Sequence, residues 1–229
     1  MRSTTTRINS GIPGLNEILH GGLLPGRSHL VTGAPGTGKT ILGLQFLNAS
    51  TDRKRALIVT FTQPEMHLKQ DAESIGIDSE PMSFVDLSAE AEIFSEVQTY
   101  DIFSPAEVER EPIAAAIRAR IEEINPERIF VDGFSELRMI SSDVFHFLRI
   151  SQSFFRFANG RGSTVVVSAT EGMTDVETPL RATTDGVIRL AGNRVRSLEV
   201  VKMRGSDFAA GPHPMRITPK GIEVFPESA

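Results

Sequence analysis

The sequence predicts an α/β fold: a mostly parallel sheet with helices on both faces, followed by an antiparallel β segment at the C-terminal end. Three observations carry this prediction. Gly33-Ala34-Pro35-Gly36-Thr37-Gly38-Lys39-Thr40 fits the phosphate-loop pattern G-x-x-x-x-G-K-[ST] at every fixed position, between a strand-like stretch (Ser28 to Thr32) and a helix-like one (Thr40 to Asn48). Buried-strand runs and segments of helical period then alternate as far as Ala169. Beyond Thr184 the period changes, and short apolar runs follow one another with glycines and prolines between them.

Composition sets the outer bounds. A chain of 229 residues with 40% hydrophobic content can bury the core of one sizeable α/β domain, and one domain over 1–229 is expected. The absence of cysteine excludes a disulfide framework and a thiolate metal site. His20, His29, His67, His146 and His213 show no ligand-like spacing, so no transition metal is expected. Met1 to Asn9 has no apolar core of a signal peptide, and no apolar run approaches a membrane span. A cytoplasmic location follows from the nucleotide that the loop implies. With 29 acidic against 24 basic residues, the net charge of −5 exerts no global pull toward nucleic acid.

The elements follow in order. Gly11-Ile12-Pro13-Gly14 and Gly21-Gly22 bracket a tight turn and a short helix that caps the entry strand. After the loop helix, Arg53-Lys54-Arg55 reads as a solvated basic turn, and Ala56 to Phe61 as a strand buried on both faces. Pro64 opens a helix with Met66, Leu68, Ala72 and Ile75 inward, and Gly76 stops it. Met82 to Leu87 suits another strand. Residues 88–111 are acidic with interleaved Phe94, Tyr100 and Phe103, and read as a solvated or partner-facing excursion. Ile113, Ala116, Ile117, Ile121 and Ile124 recur at helical spacing until Asn125-Pro126, and Arg128 to Asp132 is an apolar strand ending in a carboxylate. Ser142 to Asn159 is a Phe-rich helix, mostly core with some side chains left for a subunit contact, and Ser163 to Ala169 a further strand. Val187 to Leu190, Val195 to Met203, Met215 to Thr218 and Ile222 to Phe225 form the closing antiparallel segment.

The loop's chemistry follows from its residue types. Gly33, Gly36 and Gly38 permit backbone conformations that turn successive N–H groups inward around the α and β phosphates. Ala34, Pro35 and Thr37 complete the cradle, Lys39 reaches the β and γ phosphates, and Thr40 ligates Mg²⁺, with Ile41 opening the helix whose N-terminus faces the phosphates. Asp132, at the end of its strand, is the second element such a site needs, holding the hydration shell of Mg²⁺. ATP and Mg²⁺ are the expected cofactors.

Several stretches together carry a family resemblance: Ser10-Gly11-Ile12-Pro13-Gly14-Leu15, the phosphate loop, Val59-Thr60-Phe61, Val131-Asp132, Leu198 through Lys202-Met203-Arg204-Gly205-Ser206, and Ile217-Thr218-Pro219-Lys220-Gly221-Ile222. They resemble the KaiC family of RecA-like ATPases over essentially the whole chain. The resemblance implies a RecA-like P-loop fold and a homo-oligomeric ring, hexameric, with ATP between adjacent subunits. It makes Lys202 and Arg204 basic residues that reach the neighbour's nucleotide, with Met203 between them and Ser206 and Thr218 nearby, and it places Ser74 at the nucleotide base. A guanidinium supplied across an interface stabilises charge on the transferring phosphoryl group.

The departures from the family pattern matter as much. Where the family commonly places one or two glutamates after the Thr-Phe strand end, this chain has Thr62 and Gln63. Gln63 can orient a water but cannot take its proton. Slow hydrolysis is therefore expected, with Glu65 and Glu136 as alternative carboxylates. The Ser-Thr pair that clock members phosphorylate aligns with Arg181 and Ala182, so autokinase activity is not expected. Two function classes result: an ATP-binding ring that signals its nucleotide state to a partner protein, or a DNA-linked motor or recombinase of the RecA class, with Arg181, Arg189, Arg194 and Arg196 lining a pore. Net charge and the lack of a basic tail favour the first.

Overall fold

A computed structural model describes residues 6–88, 110–192 and 195–226, so most of the acidic 88–111 excursion lies outside the described residues. In chain order the elements are α1 (Leu15–Ile18), β1 (Ser28–Gly33), α2 (Lys39–Asn48), β2 (Ala56–Thr60), α3 (Glu65–Ser74), β3 (Ser83–Asp86), α4 (Arg110–Ile124), β4 (Arg128–Asp132), α5 (Val144–Gly160), β5 (Thr164–Thr170) and α6 (Thr174–Thr183). Strands β6 (Gly186–Ala191), β7 (Ser197–Met203), β8 (Pro212–Thr218) and β9 (Gly221–Val224) end the chain. Among the described residues, nine strands form one sheet in the order β3-β2-β4-β5-β1-β6-β7-β8-β9. The first six of that order run parallel, and β7, β8 and β9 return antiparallel. The expected α/β class is therefore observed, with one correction. Val187 to Leu190 is a parallel neighbour of β1, and only its other edge pairs antiparallel, with β7.

Alternation along each central strand splits the core into two layers, as a parallel sheet covered on both faces requires. Val31, Ile58, Phe130, Val166 and Ile188 face α1, α2 and α3, together with Met215, Ile222 and Val224 of the terminal hairpin. Leu30, Leu57, Val59, Ile129, Val131, Val165 and Val167 face α4, α5 and α6. Two residues read from sequence as inward are not: Met66 of α3 is 62% exposed, and Ala116 of α4 faces solvent. Both lie on helices flanking a large sheet, where Leu68, Ala72, Ile117 and Ile121 already fill the inner face. Helix α6 was not expected, because Pro179 and the mixed polar sequence around it give little helical signal.

Three contacts fix the loop helix. A Cβ on Gly43 would lie 2.3 Å from the Phe130 ring, so the missing side chain lets α2 settle directly on β4, the strand that ends in Asp132. Buried Gln45 then clamps the terminal hairpin, donating from Nε2 to the Ile222 carbonyl (3.1 Å) and accepting at Oε1 from the Ile222 N–H (2.7 Å). Fully buried Arg128 ties the N-terminal segment to the same helix, with hydrogen bonds to the carbonyls of Asn9 (2.8 Å) and Phe46 (2.7 Å).

His29, in the middle of the sheet, makes the fold sensitive to acid. It is completely buried, and neither ring nitrogen makes a hydrogen bond of normal geometry. Burial pushes its pKa down to about 4, against smaller opposing pulls from Asp185 and the Leu24 backbone. The folded state thus resists a proton that the unfolded state accepts near pH 6.5. The stability is whole above pH 6.5, is lost as pH falls through the interval down to about 4, and amounts to about 3 kcal/mol. Urea denaturation at pH 7.5 and pH 4.5 should show that difference in the parent and a much smaller one in His29→Leu. Equal pH dependence in the two proteins would exclude His29 as its source.

Candidate active site

Strand β1 delivers Gly33 to the sheet edge, the chain turns through 34–38, and α2 begins at Lys39. Gly36 (φ 77°) and Gly38 (φ 103°) occupy the left-handed region, which is what lets the loop curl back on itself. Gly33 departs from expectation. It is ordinary strand backbone, and its missing side chain instead makes room for the Leu190 carbonyl and the Thr37 hydroxyl. Thr37 is buried and donates to the Ala34 carbonyl (2.8 Å), closing the turn from inside, while Ala34, Pro35 and Gly36 face solvent.

Lys39 is half-buried rather than extended into solvent. Its ammonium donates to the carbonyls of Gly33 (2.8 Å) and Ala34 (3.0 Å). Burial lowers its pKa, and the charges of Asp132 and Glu171 work against that shift. Thr40 Oγ1 donates to Asp132 Oδ2 at 3.1 Å, the contact that the packing of Gly43 on Phe130 makes possible. Asp132 is 4% exposed and also accepts from Thr62 Oγ1 (3.1 Å) and, at its other oxygen, from Ser168 Oγ (2.8 Å). The result is a buried carboxylate ringed by hydroxyls beside a lysine. Hard oxygen donors of this kind fit Mg²⁺ and its water shell, and the lysine fits phosphate. Among the described residues no group of three or more His, Asp or Glu could hold a metal.

The remaining sequence-derived candidates divide between the two ends of the sheet. Gln63 lies in the turn beyond β2, where its backbone is locked to Thr60 Oγ1 (3.3 Å) and its amide donates to Asp71 on α3 (3.2 Å). Ser74 is exposed at the end of α3 and donates to the Asp71 carbonyl (2.7 Å). Ile41 packs against the core under the loop helix. Thr218 sits at the β8–β9 turn, donating to the Gly221 carbonyl (3.1 Å), and the neighbouring Ile217 and Ile222 lie against Gly38. Lys202, Met203 and Arg204 are not brought to this chain's own loop. Met203 pairs with Gly186 at the start of β6, whereas the loop leaves from the far end of β1, roughly 15 Å away at strand rise. There the Lys202 ammonium caps the carbonyls of Arg181 and Thr184 at the end of α6, and Arg204 caps that of Ala182 (2.9 Å). Burial and the Arg204 charge lower the Lys202 pKa. Ser206 Oγ is held by Arg7 (2.7 Å).

Ser168 and Glu171 escaped sequence reasoning, and Thr62 and Arg196 take places at the loop that it did not give them. Thr62 and Ser168 complete the Asp132 cluster, Arg196 donates to the Gly36 carbonyl (3.0 Å), and the Glu171 N–H donates to the Gly33 carbonyl (3.2 Å). All four come from strand ends that converge only through the sheet order, which no local pattern encodes. Of the arginines considered for a pore, Arg181 pairs with Glu177, Arg189 pairs with Glu199, Arg196 is spent on the loop, and Arg194 lies outside the described residues.

A phosphate loop on a mostly parallel sheet, with a strand-end Asp facing the loop Thr, defines a P-loop nucleotide-binding protein. This chain belongs to the KaiC ATPase family, whose profile matches residues 8–229, and its domain is RecA-like. It is 31% identical to a UPF0273 protein of Pyrococcus horikoshii, over 97% of this chain and 95% of that one. It is likewise 31% identical to a UPF0273 protein of Thermotoga maritima, over 96% of each. The circadian clock oscillator protein KaiC of a Picosynechococcus species is 29% identical over 97% of this chain, which spans 45% of that longer protein. Among the described residues no helix is long and apolar enough to cross a membrane.

Proposed function

We propose that this chain binds ATP and Mg²⁺ at the 33–40 loop and hydrolyses ATP slowly. One domain over 1–229, working in the cytoplasm, assembles with copies of itself into a ring of six and presents its nucleotide state to a partner protein. The observation that carries the reading is the convergence of Lys39, Thr40 and Asp132 on one loop edge. In this reading the loop N–H groups and Lys39 hold the phosphates, Thr40 ligates Mg²⁺ directly, and Asp132 holds its water shell. The bound cation neutralises charge on the β and γ phosphates. Gln63 orients water without accepting a proton, so turnover is slower than a glutamate at that position would give.

The ring is what the family resemblance implies, and the position of the second basic pair supports it. Lys202 and Arg204, about a strand length from their own loop, suit a nucleotide held by the adjacent copy. ATP that touches two subunits adds contacts only to the assembly, so it shifts mass toward the ring by linkage. Light scattering should show ATP-dependent assembly of the parent, and Arg204→Ala should bind ATP as before yet assemble less. Among the described residues Arg204 makes one exposed side-chain hydrogen bond, so its loss should leave the fold intact. A parent that stays monomeric with saturating ATP at high protein concentration would remove the ring from this reading.

A further inference from the structure

The 61–63 turn offers no carboxylate, and the two substitutes suggested by sequence are poorly placed. Glu65 opens α3 and pairs with Lys69 at 3.1 Å. Glu136 sits exposed in the single helical turn after β4, and it is not one of the carboxylates whose charge acts on Lys39. A different acid stands at the loop. Strand β5 lies between β1, which leads into the loop, and β4, which ends in Asp132, so its last residues emerge at the same edge of the sheet. Just past that end, the Glu171 N–H and the Lys39 ammonium share one acceptor, the Gly33 carbonyl, at 3.2 and 2.8 Å. The next residue is anchored as well, since the Gly172 N–H donates to Glu177 at 3.0 Å, so the chain is fixed on either side of the Glu171 side chain. That side chain is exposed, and among the described residues its carboxylate makes no hydrogen bond or ion pair. An acid held at a phosphate loop by its backbone, with its oxygens uncommitted, is available to water.

We infer that Glu171 supplies the water-activating carboxylate that the 61–63 turn lacks. This rests on the ATPase reading above. Water attacks the γ phosphorus, forming the new P–O bond as the bond to the β–γ bridging oxygen breaks. ADP leaves with that electron pair, and the water proton passes to Glu171, which releases it to solvent. Lys39 and Asp132 cannot take this part, because Lys39 is committed to phosphate and the Asp132 oxygens already accept three hydroxyl hydrogen bonds.

The test measures ATP turnover and ATP affinity, by a fluorescent ATP analogue, on one preparation each of parent, Glu171→Gln and Glu171→Asp. Removing a general base lowers rate by about 10²–10⁴-fold. Glu171→Gln should therefore lose at least about 10² in kcat with affinity unchanged or slightly tighter, and Glu171→Asp should fall between. Retained affinity also reports that the loop is folded. The inference is overturned if Glu171→Gln turns over like the parent, if its loss is one of affinity, or if the parent binds ATP without any turnover. A parent that binds no ATP would instead overturn the ATPase reading.

Discussion

Lys39→Ala should abolish ATP binding and leave the fold standing. A half-buried ammonium bound to phosphate makes charge-assisted hydrogen bonds worth about 1.5–3 kcal/mol each, so losing two of them should weaken binding roughly 10²–10⁴-fold. Structural cost is small, because each carbonyl that Lys39 contacts keeps another donor. Gly33 retains the Glu171 N–H at 3.2 Å, and Ala34 retains the Thr37 hydroxyl at 2.8 Å. Titration with a fluorescent ATP analogue, alongside thermal denaturation of both proteins, separates the two effects. Unchanged affinity in Lys39→Ala would take the nucleotide away from this loop, whereas a large drop in melting temperature would show that the lysine serves the fold instead.

Much of this was legible in the sequence, for a physical reason. Central strands of a parallel sheet are continuous apolar runs, so Leu57 to Thr60, Ile129 to Val131 and Val165 to Ala169 announce themselves. The phosphate loop and Asp132 are equally visible, because each is a short contiguous pattern whose chemistry depends on residue type. What stayed hidden depends on strand order. Ser168 and Glu171 reach the loop because β5 inserts between β1 and β4, and Thr62 because β2 lies beside β4, placements encoded in non-local packing such as Gly43 on Phe130. The same holds at the other end, where Lys202 and Arg204 each turn their charge onto the last carbonyls of a helix broken in pattern by Pro179. The state of Lys39 was also out of reach: a lysine after Gly38 reads as free, and only the curl of the loop brings its own carbonyls within reach.

Gln63→Glu raises turnover. The parent holds the Gln63 amide against Asp71 at 3.2 Å, with the amide donating. A glutamate there cannot donate at neutral pH, so the contact with Asp71 changes from attraction to repulsion and the new carboxylate is driven off α3. Its backbone stays where it was, because Thr60 Oγ1 donates to the carbonyl of residue 63 (2.8 Å) and accepts from its N–H. The preceding Thr62 contacts Asp132, so the freed carboxylate swings in a turn that already touches the Asp132 hydroxyl cluster. A general base contributes about 10²–10⁴ in rate, and a sizeable part of that factor should appear as higher kcat. ATP affinity should stay similar or weaken slightly, since the change adds negative charge near the γ phosphate. Both carboxylates would take the same proton, so the gain from Gln63→Glu should be larger in the Glu171→Gln background than in the parent. If Gln63→Glu leaves an already brisk turnover unchanged, residue 63 does not face the attacking water, and its alignment with the family's catalytic glutamate is wrong.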